Sequence, residues 1–197
     1  VYYFQFLGTI MKIMKCVCFK CSKLLISKKK YLSLLKYEKG EQRWIKIQHL
    51  CSRVKYCGEQ NEGCGCGFKQ PVKIKKESIA SLSVEWEDVE EDEEKVMKIS
   101  VEHVLTLLKR ISDEDVEYMG FSPVFSHPAW MVCQVLAVPP PTVRPSIKHD
   151  SQQRSEDDLS HIIINIIKSN KTLQEKMDNN ATGNIIDDWT TMLQYYI

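Results

Sequence analysis

The chain has 197 residues, 43% of them hydrophobic and 27% charged, enough apolar material to bury a core as one domain or two small ones. Its formal net charge of +1 conceals a division: residues 1–80 hold 17 Lys and Arg against 5 Asp and Glu, while residues 81–197 hold 10 against 21. The basic half suggests a polyanion partner, and eight cysteines without a secretory leader call for metal before disulfide.

From Val1 the chain runs through an apolar stretch that Lys12 interrupts, with neither a basic leader nor a small-residue cleavage site. No signal peptide or membrane span is expected, which points to a cytosolic, nuclear or viral-factory setting. Tyr2 to Met14 read as a short strand and a helical turn around Ile10, Ile13 and Met14. Then comes KCVCFKCSKLL, in which Cys18 and Cys21 form a C-x-x-C knuckle two residues after Cys16. Residues 27–54 are helical and basic, with Leu32, Leu35, Trp44, Ile45 and Leu50 as core positions and Gly40 dividing two helices.

Cys51 falls in the second helix, and Cys57, Cys64 and Cys66 follow in a glycine-rich loop. PVKIKK and IASLSVEW read as alternating strands, and the acids from Glu87 to Glu94 as a solvated hairpin loop. Ser100 caps a helix bearing Val101, Val104, Leu105 and Leu108. Ser112, with Asp113, Glu114 and Asp115, caps another that ends at Gly120.

Trp130 to Val138, WMVCQVLAV, reads as a buried strand holding Cys133. Pro139, Pro140 and Pro141 lock three φ angles and remove three donors, giving a stiff extended strut that carries Arg144 and Pro145. On composition alone this is a connector or a ligand for a proline-binding domain. Ser155 then caps a helix with Leu159, Ile162, Ile163, Ile166 and Ile167 on one face, ending near Ser169. A short helix to Met177, a turn over residues 179–183 and a final helix from Trp189 complete the chain, and both ends read as cut.

Two cysteine pairs some 35 residues apart, Cys18 with Cys21 and Cys57 with Cys66, have the ingredients of a tetrahedral four-cysteine zinc site. Glycines 58, 63, 65 and 67 permit the turns, and nearby lysines favour thiolate. Eight residues between Cys57 and Cys66 exceed the usual spacing, and reduced core thiols around an accidental C-x-x-C are the plainer alternative. A thiol redox role for Cys18 and Cys21 would need a thioredoxin-like setting that the flanks do not supply. No phosphate loop or Gly-x-Gly-x-x-Gly is present, and the five histidines lack partners at telling spacing. Lys12, Lys15, Lys20, Lys28, Lys29 and Lys30 lead a series of lysines fit for sequence-independent phosphate contacts if they share a face.

VLAVPPPTVRPSI followed by QRSEDDL, with GFSPVFSHPAWM before it, resembles the largest subunit of multi-subunit DNA-directed RNA polymerases, on the polymerase II and archaeal side. His127 stands where that family usually has Arg or a similar residue. The match is specific over residues 120–159 and fainter but collinear over nearly the whole chain. It implies a zinc-stabilised α+β segment of the polymerase clamp, truncated at both ends: a basic zinc lobe over 1–80, a strand, acidic loop and helix pair over 81–119, and a strand, strut and helices of the clamp base over 120–197. Cys18, Cys21, Cys57 and Cys66 are the ligands implied, since CGFKQP gives the Gly and Gln-Pro in register, with Cys64 as the competitor to Cys66.

The resemblance further implies a nucleotidyltransferase that transcribes DNA, whose magnesium is held by an Asp-rich loop absent from this chain, so that the segment alone is inactive. The implied partners are the other polymerase subunits, the second-largest above all, with DNA and the RNA/DNA hybrid, and no membrane. The implied place is the nucleus, or host cytoplasm or virion for a viral chain. The alternative is a stand-alone zinc-ribbon protein that binds nucleic acid.

Overall fold

The computed structural model describes residues 1–33, 40–60, 65–87, 95–148 and 154–197. Leu35, Lys36, Lys39, Gly63, Cys64 and the acids of residues 88–94 lie outside them. Two compact units emerge, residues 2–132 and a second formed by Val1 with residues 133–197.

In the first unit, helix α1 (Leu7–Met14) follows a 3-10 turn (Phe4–Phe6) and buries Leu7, Ile10, Ile13 and Met14. The spacing of these residues sets one apolar stripe against the core. The strand expected around Tyr2 is reduced to a single antiparallel bridge between Tyr2 and Val132. The cysteine knuckle comes next, and then helix α2 (Gly40–Cys51), which opens at Gly40 with φ +55°.

Helix α2 turns Ile47 and Cys51 inward rather than Ile45, which is exposed, as is Leu32. Ile45 lies two residues from Ile47, roughly 200° around the helix, so the two cannot share a buried face. Trp44 and Leu50 pack partly against the core as expected, and Trp44 meets Phe121 edge-on at 5.2 Å between ring centres.

Strands β1 (Lys73–Lys76), β2 (Leu82–Glu85) and β3 (Val96–Ile99) form an antiparallel sheet in that order. The first two are the strands the alternation predicts. β3 is the addition, and pairs Leu82 with Ile99 and Val84 with Met97. Helix α3 (Val101–Lys109) begins at Ser100, whose side chain accepts from the amide of His103, and buries Val104, Leu107 and Leu108. Helix α4 (Asp113–Met119) is capped in the same way by Ser112 onto Asp115 and ends at Gly120 with φ +96°. Both caps and the glycine stop are those read from the sequence. Mixed helices with this small three-stranded antiparallel sheet make an α+β fold.

Three expectations change around the second unit. WMVCQVLAV is not a buried strand. His127 caps a 3-10 turn over Pro128–Met131, and beyond Cys133, which is buried, Val135 and Val138 are 82% and 54% exposed. Pro128 supplies the φ for that turn, and no described strand pairs with the residues that follow, which meet the start of the chain through the Tyr2–Val132 bridge and hydrogen bonds in both directions between Val1 and Cys133.

The proline strut bends at its end. The amides of Val143 and Arg144 bond back to the carbonyls of Pro140 and Pro141, because Thr142, Val143 and Arg144 regain the donors the prolines lack. Ser155 does not cap the helix. It lies in a two-residue strand, β5 (Arg154–Ser155), paired with β4 (Ile147–Lys148), and Asp157 takes the cap by accepting from the Leu159 amide.

Helix α5 then runs without a break from Asp158 to Asp178. It forms a helical hairpin with α6 (Gly183–Tyr196) through the turn at residues 179–182. Its expected apolar face is left open among the described residues, with Leu159, Ile162 and Ile167 exposed and Ile163 and Ile166 half-buried.

Candidate metal centre

The first cysteine pair comes from a tight knuckle after α1. The Cys18 amide donates to the Lys23 carbonyl and the Ser22 amide to the Cys18 carbonyl, both at 2.8 Å, with Ser22 in the left-handed region at φ +59°. This folds the chain so that Cys18 and Cys21 face the same way. The Lys20 amide points at the Cys18 sulfur, 3.4 Å away.

The second pair sits at the mouth of a loop closed by a Tyr56–Lys69 bridge. The Cys57 amide donates to the Phe68 carbonyl and the Gly67 amide to the Cys57 carbonyl, both at 3.0 Å. Inside that ladder the backbones of Gly58 (φ +93°) and Gly65 touch: a Cβ on Gly65 would stand 2.3 Å from the Cys57 oxygen and from the Gly58 Cα. This contact lets a spacing of nine bring Cys57 and Cys66 together, so the departure from close spacing is absorbed by two glycines.

The four sulfurs lie within 4.8 Å of one another, with Cys18 to Cys66 at 3.4 Å and Cys21 to Cys57 at 3.7 Å. Four thiolates at about 2.3 Å around a tetrahedral ion would be about 3.8 Å apart, so the donor set fits a metal ion. Cys18 is fully buried and Cys57 nearly so, Cys21 is half-buried and Cys66 is exposed. Burial pushes the Cys57 thiol far up, and the neighbouring Cys18 and Cys21 thiols reinforce it. Burial also raises Cys21. At Cys66 the slight burial is outweighed by the Phe68 amide and the three neighbouring sulfurs, which lower it to about 7. Of the other cysteines, Cys16 and Cys51 are packed in the core of the first unit, where the Cys51 thiol donates to the Cys16 carbonyl. Cys133 belongs to the second unit.

Of the predicted phosphate-contacting lysines, Lys28, Lys29 and Lys30 line one cavity of about 840 Å³ beside the knuckle, together with Lys23 and Arg110. Lys12 and Lys15, exposed on and just after α1, do not line it, and Lys20 lies over the Phe68 ring at 5.8 Å. Lys28 is committed elsewhere. It bonds to Asp115 at 2.7 Å and to Glu114 at 3.2 Å, and although burial opposes its charge, these carboxylates raise its pKa. Asp115, read from the sequence only as a capping acid, is 5% exposed and also accepts from the Leu24 amide. In the strut, Arg144 bonds to the Pro139 carbonyl and to Ser160. No helix among the described residues is long and apolar enough to cross a membrane.

The geometry defines an α+β module in which a knuckle and a glycine-closed loop bring four thiols together as a donor set that fits a metal ion. Residues 1–197 match the family described as RNA polymerase Rpb1, domain 1, and the chain belongs to that family. It is similar to the DNA-directed RNA polymerase II subunit RPB1 of Euplotoides octocarinatus, with 33% identity over 206 aligned positions. That alignment takes in 100% of this chain and 42% of the relative, so the chain spans about two fifths of the relative's length.

Proposed function

We propose that the chain acts in transcription as part of the largest subunit of a nuclear DNA-directed RNA polymerase, a nucleotidyltransferase, and that it contributes to the clamp that retains DNA and the RNA/DNA hybrid. The observation that carries this reading is the family match along the whole chain. In this role Cys18, Cys21, Cys57 and Cys66 hold one zinc ion, which staples the basic lobe of residues 1–80 and leaves catalysis to a magnesium site elsewhere in the enzyme.

The cavity with Lys23, Lys29, Lys30 and Arg110 adds positive charge beside the staple, which supports phosphate contacts made without reading sequence. The helices and strut of residues 120–197 serve as the base of the clamp, and the second-largest subunit is its principal protein partner.

Affinity purification of the tagged chain from its own cells tests this reading. The expected result is recovery with the second-largest subunit and the remaining polymerase subunits in fixed proportion. Recovery of the chain alone, still binding nucleic acid, would favour a stand-alone zinc protein instead.

A further inference from the structure

Gln70 stands where the two halves of the metal centre meet. It is 7% exposed, and its side chain makes three hydrogen bonds. Oε1 accepts from the amide of Phe19 at 3.0 Å, while Nε2 donates to the carbonyl of Phe68 at 2.7 Å and to the sulfur of Cys18 at 3.4 Å. The amide has one orientation open to it. Turned over, its oxygen would face the Phe68 carbonyl and the sulfur, and its NH₂ would face the Phe19 N–H.

The partners divide by origin. Phe19 and Cys18 belong to the knuckle that carries the first cysteine pair, and Phe68 follows Cys66 in the loop that carries the second. The Gln70 amide itself donates to the Lys55 carbonyl, two residues before Cys57, at 2.8 Å. One buried side chain therefore joins the segments bearing three of the four thiols. At Cys18, which is fully buried, the sulfur receives two N–H donors, one from Gln70 and one from the Lys20 amide. Two donors on a sulfur closed to water hold it in one orientation, as hydrogen-bonded partners of metal ligands do.

We propose that Gln70 is a positioning residue of the metal centre, clasping the knuckle to the loop and fixing the direction of the Cys18 sulfur through its hydrogen bond. The inference rests on the reading of the four cysteines as a metal site. Partners of this kind orient metal ligands, and their loss weakens metal binding about 10- to 100-fold.

The test uses the 197-residue chain loaded with Co²⁺ or Zn²⁺, comparing wild type with Gln70→Met, which keeps length without polarity. It also uses Gln70→Glu, which keeps the acceptor for the Phe19 amide and removes both donors. Gln48→Met, whose side chain donates to the Trp44 carbonyl on α2, is the control.

Wild type and the control are expected to take one Co²⁺ per chain with sulfur-to-cobalt charge transfer. Both Gln70 variants are expected to show a shifted band and to release Zn²⁺ to a chromogenic chelator about 10- to 100-fold faster. Wild-type release and spectrum in Gln70→Glu would overturn the role at Cys18, because that variant lacks the donor. Wild-type behaviour in both variants would overturn the positioning role altogether. If Gln70→Met does not fold, Gln70→Glu alone decides. Failure of the wild type to take up Co²⁺ would instead defeat the metal reading beneath it.

Discussion

Arg144 folds back on Pro139: its Nε donates to the Pro139 carbonyl at 2.9 Å while Nη1 reaches the Ser160 hydroxyl on α5 at 3.3 Å. A carbonyl within three consecutive prolines has no neighbouring proline N–H to bond, so the guanidinium supplies the donor and ties the strut to the start of the helix. Arg144→Ala should remove both bonds at a cost of about 1–2 kcal/mol, and Arg144→Lys should fail to restore them because an ammonium lacks the fork. Hydrogen exchange at the amides of Val143, Arg144, Ser160 and His161 reads the effect, and unchanged protection in Arg144→Ala would show the contact to be idle.

Metal content should be one zinc per chain and should be lost, with unfolding of the first unit, in Cys18→Ser or Cys66→Ser. Cys16→Ser buries a hydroxyl in the core and should lower stability while keeping the metal, since its sulfur is not among the four that converge. Elemental analysis of the purified variants separates the two outcomes.

Metal affinity should fall as pH is lowered. The thiols must lose their protons to bind, and in the metal-free protein burial holds those of Cys57 and Cys21 above their usual range, while Cys66 lies near 7. Titration of Zn²⁺ against a competing chelator across pH 6 to 8 should give tighter binding at the alkaline end with proton release on uptake. An affinity independent of pH would contradict a thiolate donor set.

The glycine contact makes a sharp prediction. Gly65→Ala places a Cβ against the backbone of Cys57 and Gly58 and should pull Cys57 from Cys66, sharply weakening zinc binding. Gly67→Asn is the contrast. Its φ of +71° is one that Asn tolerates, and no atom stands within 4 Å of the added Cβ, so zinc affinity should stay near wild type.

Asp115→Ala should destabilise the first unit by about 2 kcal/mol, because it removes the partner of Lys28 and the acceptor for the Leu24 amide from a buried position. The Lys28 side chain is 38% exposed, which keeps the cost below that of a fully buried pair. Urea unfolding should show a lower midpoint at unchanged slope.

Local chemistry was readable because its causes are local. Ser100, Ser112 and Gly120 act within a turn of their own helices, strands β1 and β2 follow from alternation, and the Cys18–Cys21 knuckle is closed by hydrogen bonds within residues 18–23. The family, too, was legible in the run from Gly120 to Leu159. What needed the tertiary structure were the choices between equivalent local options. Asp157 rather than Ser155 caps α5 because residues 154 and 155 are taken into a strand pair, and the run from Trp130 is no strand because its first two residues fall in the 3-10 turn that Pro128 starts and Val135 and Val138 beyond it are exposed. The clasp of Gln70, the backbone contact of Gly58 with Gly65 and the pairing of Lys28 with Asp115 join residues 7 to 87 positions apart. No local pattern encodes them, because each depends on which surfaces the core brings together.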